Sequence, residues 1–198
     1  PRRAGCGTVL SGVRGRAALR SGLFWFSFSG ACCRMPRLIT EATKTMQIEK
    51  LMPEGKKGTV LVLAPHTDDT ELGCGGTVAR LIEEGHRVVT VAFSAAEDSV
   101  PAGFARDVLR TENVNAAQKL GVKKEDALVL DFKVRTFPEN RQRVLDTMIR
   151  LNREYRPDLV FVPSATDTHQ DHKTIADEGF RAFKRTTILA YELAWNNL

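Results

Sequence analysis

Thr59-Val60-Leu61-Val62-Leu63-Ala64-Pro65-His66-Thr67-Asp68-Asp69-Thr70-Glu71 is the stretch on which the reading of this chain turns. Its first six residues form a continuous β-rich apolar run. That pattern belongs to a strand covered on both faces, because a half-exposed strand would alternate apolar with polar. The run then breaks into a loop carrying one histidine and three carboxylates within six residues, His66 to Glu71. A buried strand that empties into ligand-type side chains is the organisation of an α/β sheet, where sites gather beyond the carboxyl ends of the strands.

Outward from this stretch, apolar runs and amphipathic segments alternate. Gly75 to Glu84 reads as a helix with Val78, Leu81 and Ile82 on one face and Gly85 as its C-terminal stop. Arg87 to Phe93 reads as a second strand, Phe104 to Leu120 as a helix ending at Gly121, and Ala127 to Leu130 as a third strand. Gln142 to Tyr155 is a helix closed by Pro157, Asp158 to Pro163 a fourth strand, Asp171 to Lys184 a helix, and Thr187 to Tyr191 a fifth strand. This alternation predicts an α/β, Rossmann-like, mainly parallel sheet with helices on both faces.

Composition narrows the classes. The chain has 198 residues, 42% hydrophobic and 27% charged, enough for one domain with its own core. The formal charge of +5 would suggest an anionic partner, but it is unevenly spread. Residues 1–45 carry seven Arg, one Lys and one Glu, whereas the rest holds 21 basic and 23 acidic side chains. The near-neutral remainder, without a basic aromatic stripe, argues against nucleic acid. Residues 1–45 are expected to be a basic extension, disordered or non-native, and are set apart from a domain at 46–198. Their apolar cluster, Leu23 to Phe28, is too short to span a bilayer, so no transmembrane segment is expected. Cys6, Cys32 and Cys33 fall in this extension and Cys74 stands alone in the domain, without zinc-knuckle spacing. A reducing, cytoplasmic setting follows.

The fourth strand empties into a second loaded loop, Ser164-Ala165-Thr166-Asp167-Thr168-His169-Gln170-Asp171-His172. Three of the four histidines lie in the two loops, and in a parallel sheet both can face one crevice. Clustered carboxylates at an apolar strand end repel one another and lose hydration unless a cation compensates. A catalytic zinc takes three ligands from His and carboxylate and keeps a position open for water. These loops supply such a set with a carboxylate left over as base and a histidine left over as acid. Spacing alone does not say which aspartate binds the metal. The glycines at 73, 75 and 76 do not make a dinucleotide fingerprint, since Val78 stands where a third glycine belongs, and no cofactor-binding residues beyond the metal set are expected.

The paired motifs resemble those of the LmbE-like family, which includes the N-acetylglucosaminyl-phosphatidylinositol de-N-acetylases. The resemblance rests on His66-Thr67-Asp68-Asp69 with Leu72-Gly73-Cys74-Gly75-Gly76-Thr77 after the first strand, on Arg110-Thr111-Glu112 with Ala116 and Leu120-Gly121 between, and on His169-Gln170-Asp171-His172 after a later strand. It runs from about Val60 to Glu192. It implies zinc or another divalent metal held by His66, Asp69 and His172, with Asp68 as general base. It further implies His169 as acid or oxyanion donor, Asp171 orienting it, and Arg110 lining the site. The activity implied is removal of the acetyl group from an N-acetylated amino sugar or sugar conjugate, a small-molecule partner; a homo-oligomer is left open. Thr67 stands where proline is commonest, and Thr70 where many relatives carry glutamate. Relatives also continue with further sheet and a helix, so the domain is expected to be C-terminally short and to lack C-terminal elements. Other metal-dependent esterase or phosphoesterase chemistry, and a non-catalytic metal-binding α/β domain, are the competing readings.

Overall fold

The apolar run at Thr59–Ala64 is strand β1, and Val60, Leu61, Val62 and Leu63 are all fully buried. The computed structural model describes Met52 and residues 57–196, so the expectations for residues 1–45 and their cysteines lie outside the described residues. Four α-helices and four further strands follow in alternation: α1 (Asp69–Glu83), β2 (Arg87–Ala92), α2 (Val108–Lys119), β3 (Ala127–Val129), α3 (Arg141–Tyr155), β4 (Leu159–Pro163), α4 (Gln170–Ala182) and β5 (Thr187–Tyr191). The sheet order is β3-β2-β1-β4-β5, and every pairing is parallel.

Both faces of the sheet are covered, as the unbroken apolar strands require. Successive side chains of a strand point to opposite faces. Val60 and Val62 accordingly pack with Val88, Leu159 and Phe161 against Val78 and Leu81 of α1 and Ala117 of α2. Leu61 and Leu63 pack with Val89, Val91, Val160 and Val162 against Val144, Met148 and Leu151 of α3 and Ile175 of α4. Helices α1 and α2 thus cover one face, α3 and α4 the other.

The boundaries differ from expectation in two instructive places. Helix α1 begins at Asp69, six residues before Gly75, because DDTELG already turns; Cys74 breaks the regularity with φ −148° and ψ 18°. The sequence pattern shows only the half after this kink, where the apolar face is periodic. Helix α2 begins at Val108 rather than Phe104. The stretch before it includes Pro101 and Gly103, the latter at φ +97°, and residues 101–107 are exposed. Among the described residues, no helix is long and apolar enough to cross a membrane.

The chain reverses its direction of travel along the sheet at β1. From β1 it moves to β2 and β3 on one side, then returns to β4 and β5 on the other. Val60, Leu61 and Val62 pair with Leu159, Val160 and Phe161 of β4. The loops that leave these two strands therefore diverge to opposite faces, opening a crevice at the point of reversal.

Close packing ties this end of the sheet to α1. A Cβ built on Gly73 would lie 2.3 Å from Cδ2 of Tyr191. The Tyr191 ring is buried and its hydroxyl donates to the Leu63 carbonyl at 3.0 Å, so it cannot swing aside without losing that bond. Gly73→Ala is expected to destabilise the fold by roughly 1–3 kcal/mol. Thermal denaturation would show this as a fall of several degrees in Tm, and an unchanged Tm would mean that α1 shifts freely.

Candidate metal centre

The β1 loop brings His66 and Asp69 to the crevice, and the β4 loop brings Asp167, His169, Asp171 and His172. Helix starts set both groups. Asp68 occupies the N-cap position of α1, yet its side chain makes no capping bond, so the ordinary use of an aspartate there is not realised. Asp69 turns inward, 3% exposed, and its Oδ2 accepts from the His66 backbone N–H at 2.7 Å. His169 occupies the N-cap of α4, with Nδ1 accepting from the Asp171 backbone N–H at 3.2 Å.

Three atoms converge. Asp69 Oδ2 lies 3.4 Å from His66 Nδ1 and 3.4 Å from His172 Nε2. The two imidazole nitrogens are 3.3 Å apart. Ligand atoms roughly 2.0–2.1 Å from a tetrahedral zinc stand about 3.3–3.4 Å from one another. The triangle therefore has the edge lengths of one face of a zinc coordination shell. The nitrogens of His66, His169 and His172 also form a group within 4.8 Å. The set containing Asp69 is tighter and includes a charge-neutralising carboxylate, so it is the better match to a divalent ion.

The outer partners fix which way each imidazole points. Asp171 Oδ2 takes His66 Nε2 at 3.1 Å, and Asp167 Oδ2 takes His172 Nδ1 at 2.9 Å. With a hydrogen on each outward nitrogen, both inward nitrogens present lone pairs, the tautomers a metal requires. Asp171 is fully buried and is itself held by the backbone N–H groups of Arg135 at 2.6 Å and Phe137 at 3.2 Å. Arg135 adopts φ +66°, a left-handed conformation that costs a non-glycine residue about 1 kcal/mol or more. The loop after β3 is thus bent toward the site.

The electrostatics of the pocket favour positive charge. Burial alone would push the His66 imidazole down, but hydrogen bonds with Asp171 and Asp69 outweigh it and raise the group to about 9. Burial would raise the Asp69 carboxyl, and contacts with His66 and His172 reverse the effect and hold it low. Asp171 is likewise held low by His66 and by the two backbone donors, against its burial. His169 moves the other way: burial, then the charges of His66 and His172, lower it. It is neutral near pH 7, and because its Nδ1 accepts a backbone N–H, its hydrogen sits on Nε2.

A cleft of about 570 Å³ opens beside the triangle, lined by His66, Asp68, Glu71, Asn113, Arg135 and His169 among others. Asp68 is exposed there, with a carboxylate available to a ligand. Arg110 is not brought into this group. Its Nη1 donates to the Val129 carbonyl at 2.7 Å and its Nη2 to Asp131 at 2.6 Å, and it lines a neighbouring cleft that shares only Ala96 and Val134 with the first. Asp171 also differs in its use: the carboxylate meets His66, and only the backbone N–H of Asp171 meets His169.

Two residues with a part in the site escaped the sequence reading. Asp167 grips His172 Nδ1 and also accepts the His169 backbone N–H at 2.8 Å. Asn113 on α2 donates to the Thr67 carbonyl at 2.6 Å and so pins the β1 loop. An aspartate two residues before a histidine that starts a helix is a recognisable turn signal, whereas nothing local marks Asn113.

Fold and site together define an α/β protein with a buried His/carboxylate cluster, able to hold a metal ion, at the reversal point of a parallel sheet. Residues 61–183 match the family model described as PIG-L: GlcNAc-PI de-N-acetylase, and the chain belongs to that family. It is 29% identical over 147 residues to a diacetylchitobiose deacetylase of Thermococcus kodakarensis, covering 66% of this chain and 54% of that protein. The chain thus spans about half the length of this curated relative. Among solved structures it resembles an N,N'-diacetylchitobiose deacetylase from Pyrococcus horikoshii in complex with an inhibitor, with a TM-score of 0.56 and 26% identity over 63% of this chain and 49% of the other. A deacetylase of the teicoplanin biosynthetic pathway shares the fold at a TM-score of 0.58, with 24% identity over 68% and 63% of the two chains.

Removing the Asp167 carboxylate frees the His172 ring to rotate or change tautomer. Asp167→Ala is expected to weaken zinc binding about 10- to 100-fold. Competition against a chelator of known affinity measures this, and an unaltered affinity would show that Asp167 only shapes the loop.

Proposed function

We propose that this chain is a metal-dependent hydrolase that removes the acetyl group from an N-acetylated amino sugar or sugar conjugate. In this reading zinc, or another divalent ion, is held by His66, Asp69 and His172. One observation carries it: the 3.3–3.4 Å triangle of Asp69 Oδ2, His66 Nδ1 and His172 Nε2 at the wall of an open cleft. Family membership and the deacetylase relatives support the reaction type. A cleft of about 570 Å³ is in the range that holds a small ligand.

A divalent ion bound by this set supplies Lewis acidity, which polarises the amide carbonyl and makes water a better nucleophile. The remaining chemistry belongs to the chain. Asp68, exposed on the cleft beside His66, takes the proton of the attacking water as general base. His169 lines the same cleft with its hydrogen on Nε2, suited to donate a hydrogen bond to the developing oxyanion, and the proton taken up by Asp68 passes on to the departing amine. Asp171 and Asp167 hold the two histidine ligands in register from behind and touch no substrate. Arg110 has a supporting part in this scheme, bracing the end of β3 and the loop after it through Val129 and Asp131, and the loop after β2 through Glu97.

Two variants separate ion binding from proton transfer. The purified protein is expected to hold about one zinc per chain, lost in the Asp69→Ala, His172→Ala double variant and kept in Asp68→Asn. Asp68→Asn is expected to lower kcat for acetate release from N-acetylglucosamine or diacetylchitobiose about 100- to 10,000-fold with little change in KM. Elemental analysis and an acetate assay check both. Failure of the zinc-loaded parent to release acetate from any N-acetyl sugar would overturn the deacetylase reading.

A further inference from the structure

Among the described residues, four buried side-chain atoms find no hydrogen-bond partner on another residue: Thr90 Oγ1, Asn113 Oδ1 and both carboxylate oxygens of Glu71. Three of the four belong to residues on the wall of the cleft that His66 and His169 also line. Folded proteins leave few buried polar atoms unpaired, and a cluster of them in one place calls for a cause. Asn113 is 4% exposed and its orientation is fixed. Its Nδ2 donates to the Thr67 carbonyl, which can only accept, so Oδ1 is the end left over. Thr67 leads into the first turn of α1, and Glu71 belongs to that turn, so both side chains border the same end of the helix.

All three orphan atoms are acceptors. Asp68 and Glu112 add two further carboxylates to the cleft lining, against Arg135 as its one Lys or Arg. We propose that Glu71 and Asn113 form a seat for an ammonium group of the ligand. An ammonium brings three donors and no acceptor, matching three acceptors that find no donor on another residue. A hydroxyl brings one donor and sets its own lone pairs against a carboxylate. The inference deepens the de-N-acetylase reading and rests on it for the identity of the cleft. It names the substrate class as N-acylated amino compounds that carry a second, free amine, such as partly deacetylated amino-sugar oligomers.

The test is binding of three monosaccharides to the zinc-loaded protein by calorimetry: glucosamine, glucose and 2-deoxyglucose, which differ only at one position in offering an ammonium, a hydroxyl or neither. Glucosamine is expected to bind about tenfold or more tightly than the other two, the range of a charged hydrogen bond. That preference is expected to collapse toward unity in Glu71→Gln, an isosteric change, and in Asn113→Leu, each checked for zinc content and melting temperature. The ratio between sugars within one variant is the readout, since a general loss of structure would weaken all three alike. A preference that survives Glu71→Gln would put the amine elsewhere and overturn the seat. Equal binding of glucose and glucosamine, or no preference up to the solubility of the sugars, would overturn it as well. Acetate release is scored separately: a preserved, Glu71-dependent preference without acetate release removes the hydrolase reading and keeps the seat.

Discussion

Everything at this site depends on the parallel pairing of β1 with β4. Those strands are distant in sequence, and five other strands and helices, α1, β2, α2, β3 and α3, pass before the chain returns to lie beside its starting strand. Because β1 continues to one face and β4 to the other, their loops separate and leave a crevice that no helix fills. Had β4 been added at the outer edge of β3, the same two motifs would stand at opposite ends of the sheet. His66 and His172 would then be separate polar residues, each with a local and unremarkable explanation.

Bringing the loops together creates an electrostatic problem that the site resolves in layers. Asp69, Asp167 and Asp171 are each less than 5% exposed, and His172 is 2% exposed. Isolated carboxylates at that depth would take up protons instead of remaining charged. Here Asp171 is paired with His66 and two backbone donors, and Asp167 with His172 and the His169 backbone. Each outer carboxylate thus spends its charge on orienting a ring. The inner carboxylate, Asp69, faces two imidazole nitrogens, and its charge is balanced when positive charge, a proton or a cation, lies between them. The raised His66 imidazole expresses the same demand in protons that a divalent ion satisfies better.

Much of this was legible in the sequence, and for identifiable reasons. Strands β1, β2 and β4 were visible because burial on both faces makes them nearly continuous apolar runs, and Val60 to Leu63 are fully buried as that pattern requires. The clustering of His and Asp at two strand ends was visible because parallel topology sends both ends the same way. The first turn of α1 was not visible, since Asp69 to Gly73 is a site segment whose residues serve ligands and close approach to Tyr191 more than helical periodicity. The start of α2 was misjudged because Phe104, which extends an apolar pattern, is 65% exposed and packs on nothing that periodicity could predict. Arg110 was drawn toward the site by its position in a motif, whereas Val129 and Asp131, which claim it, are contacts between separate elements.

Hydrogen-bond direction was the least legible property, and it matters most for the chemistry. A sequence can present His169, Asp171 and His172 in order, but residues this close together at a helix start project to different sides. The helix turn that sends the Asp171 carboxylate to His66 also leaves only its backbone N–H for His169. That one fact divides the histidines by role. His66 and His172 have carboxylates behind them, the arrangement that the proposed metal site asks of its ligands. His169 has an amide donor on Nδ1 and its hydrogen on Nε2, and burial keeps it neutral, which leaves it one N–H to offer. Which nitrogen of each ring points inward is set here by which backbone or carboxylate stands behind the ring, and spacing along the chain cannot encode it.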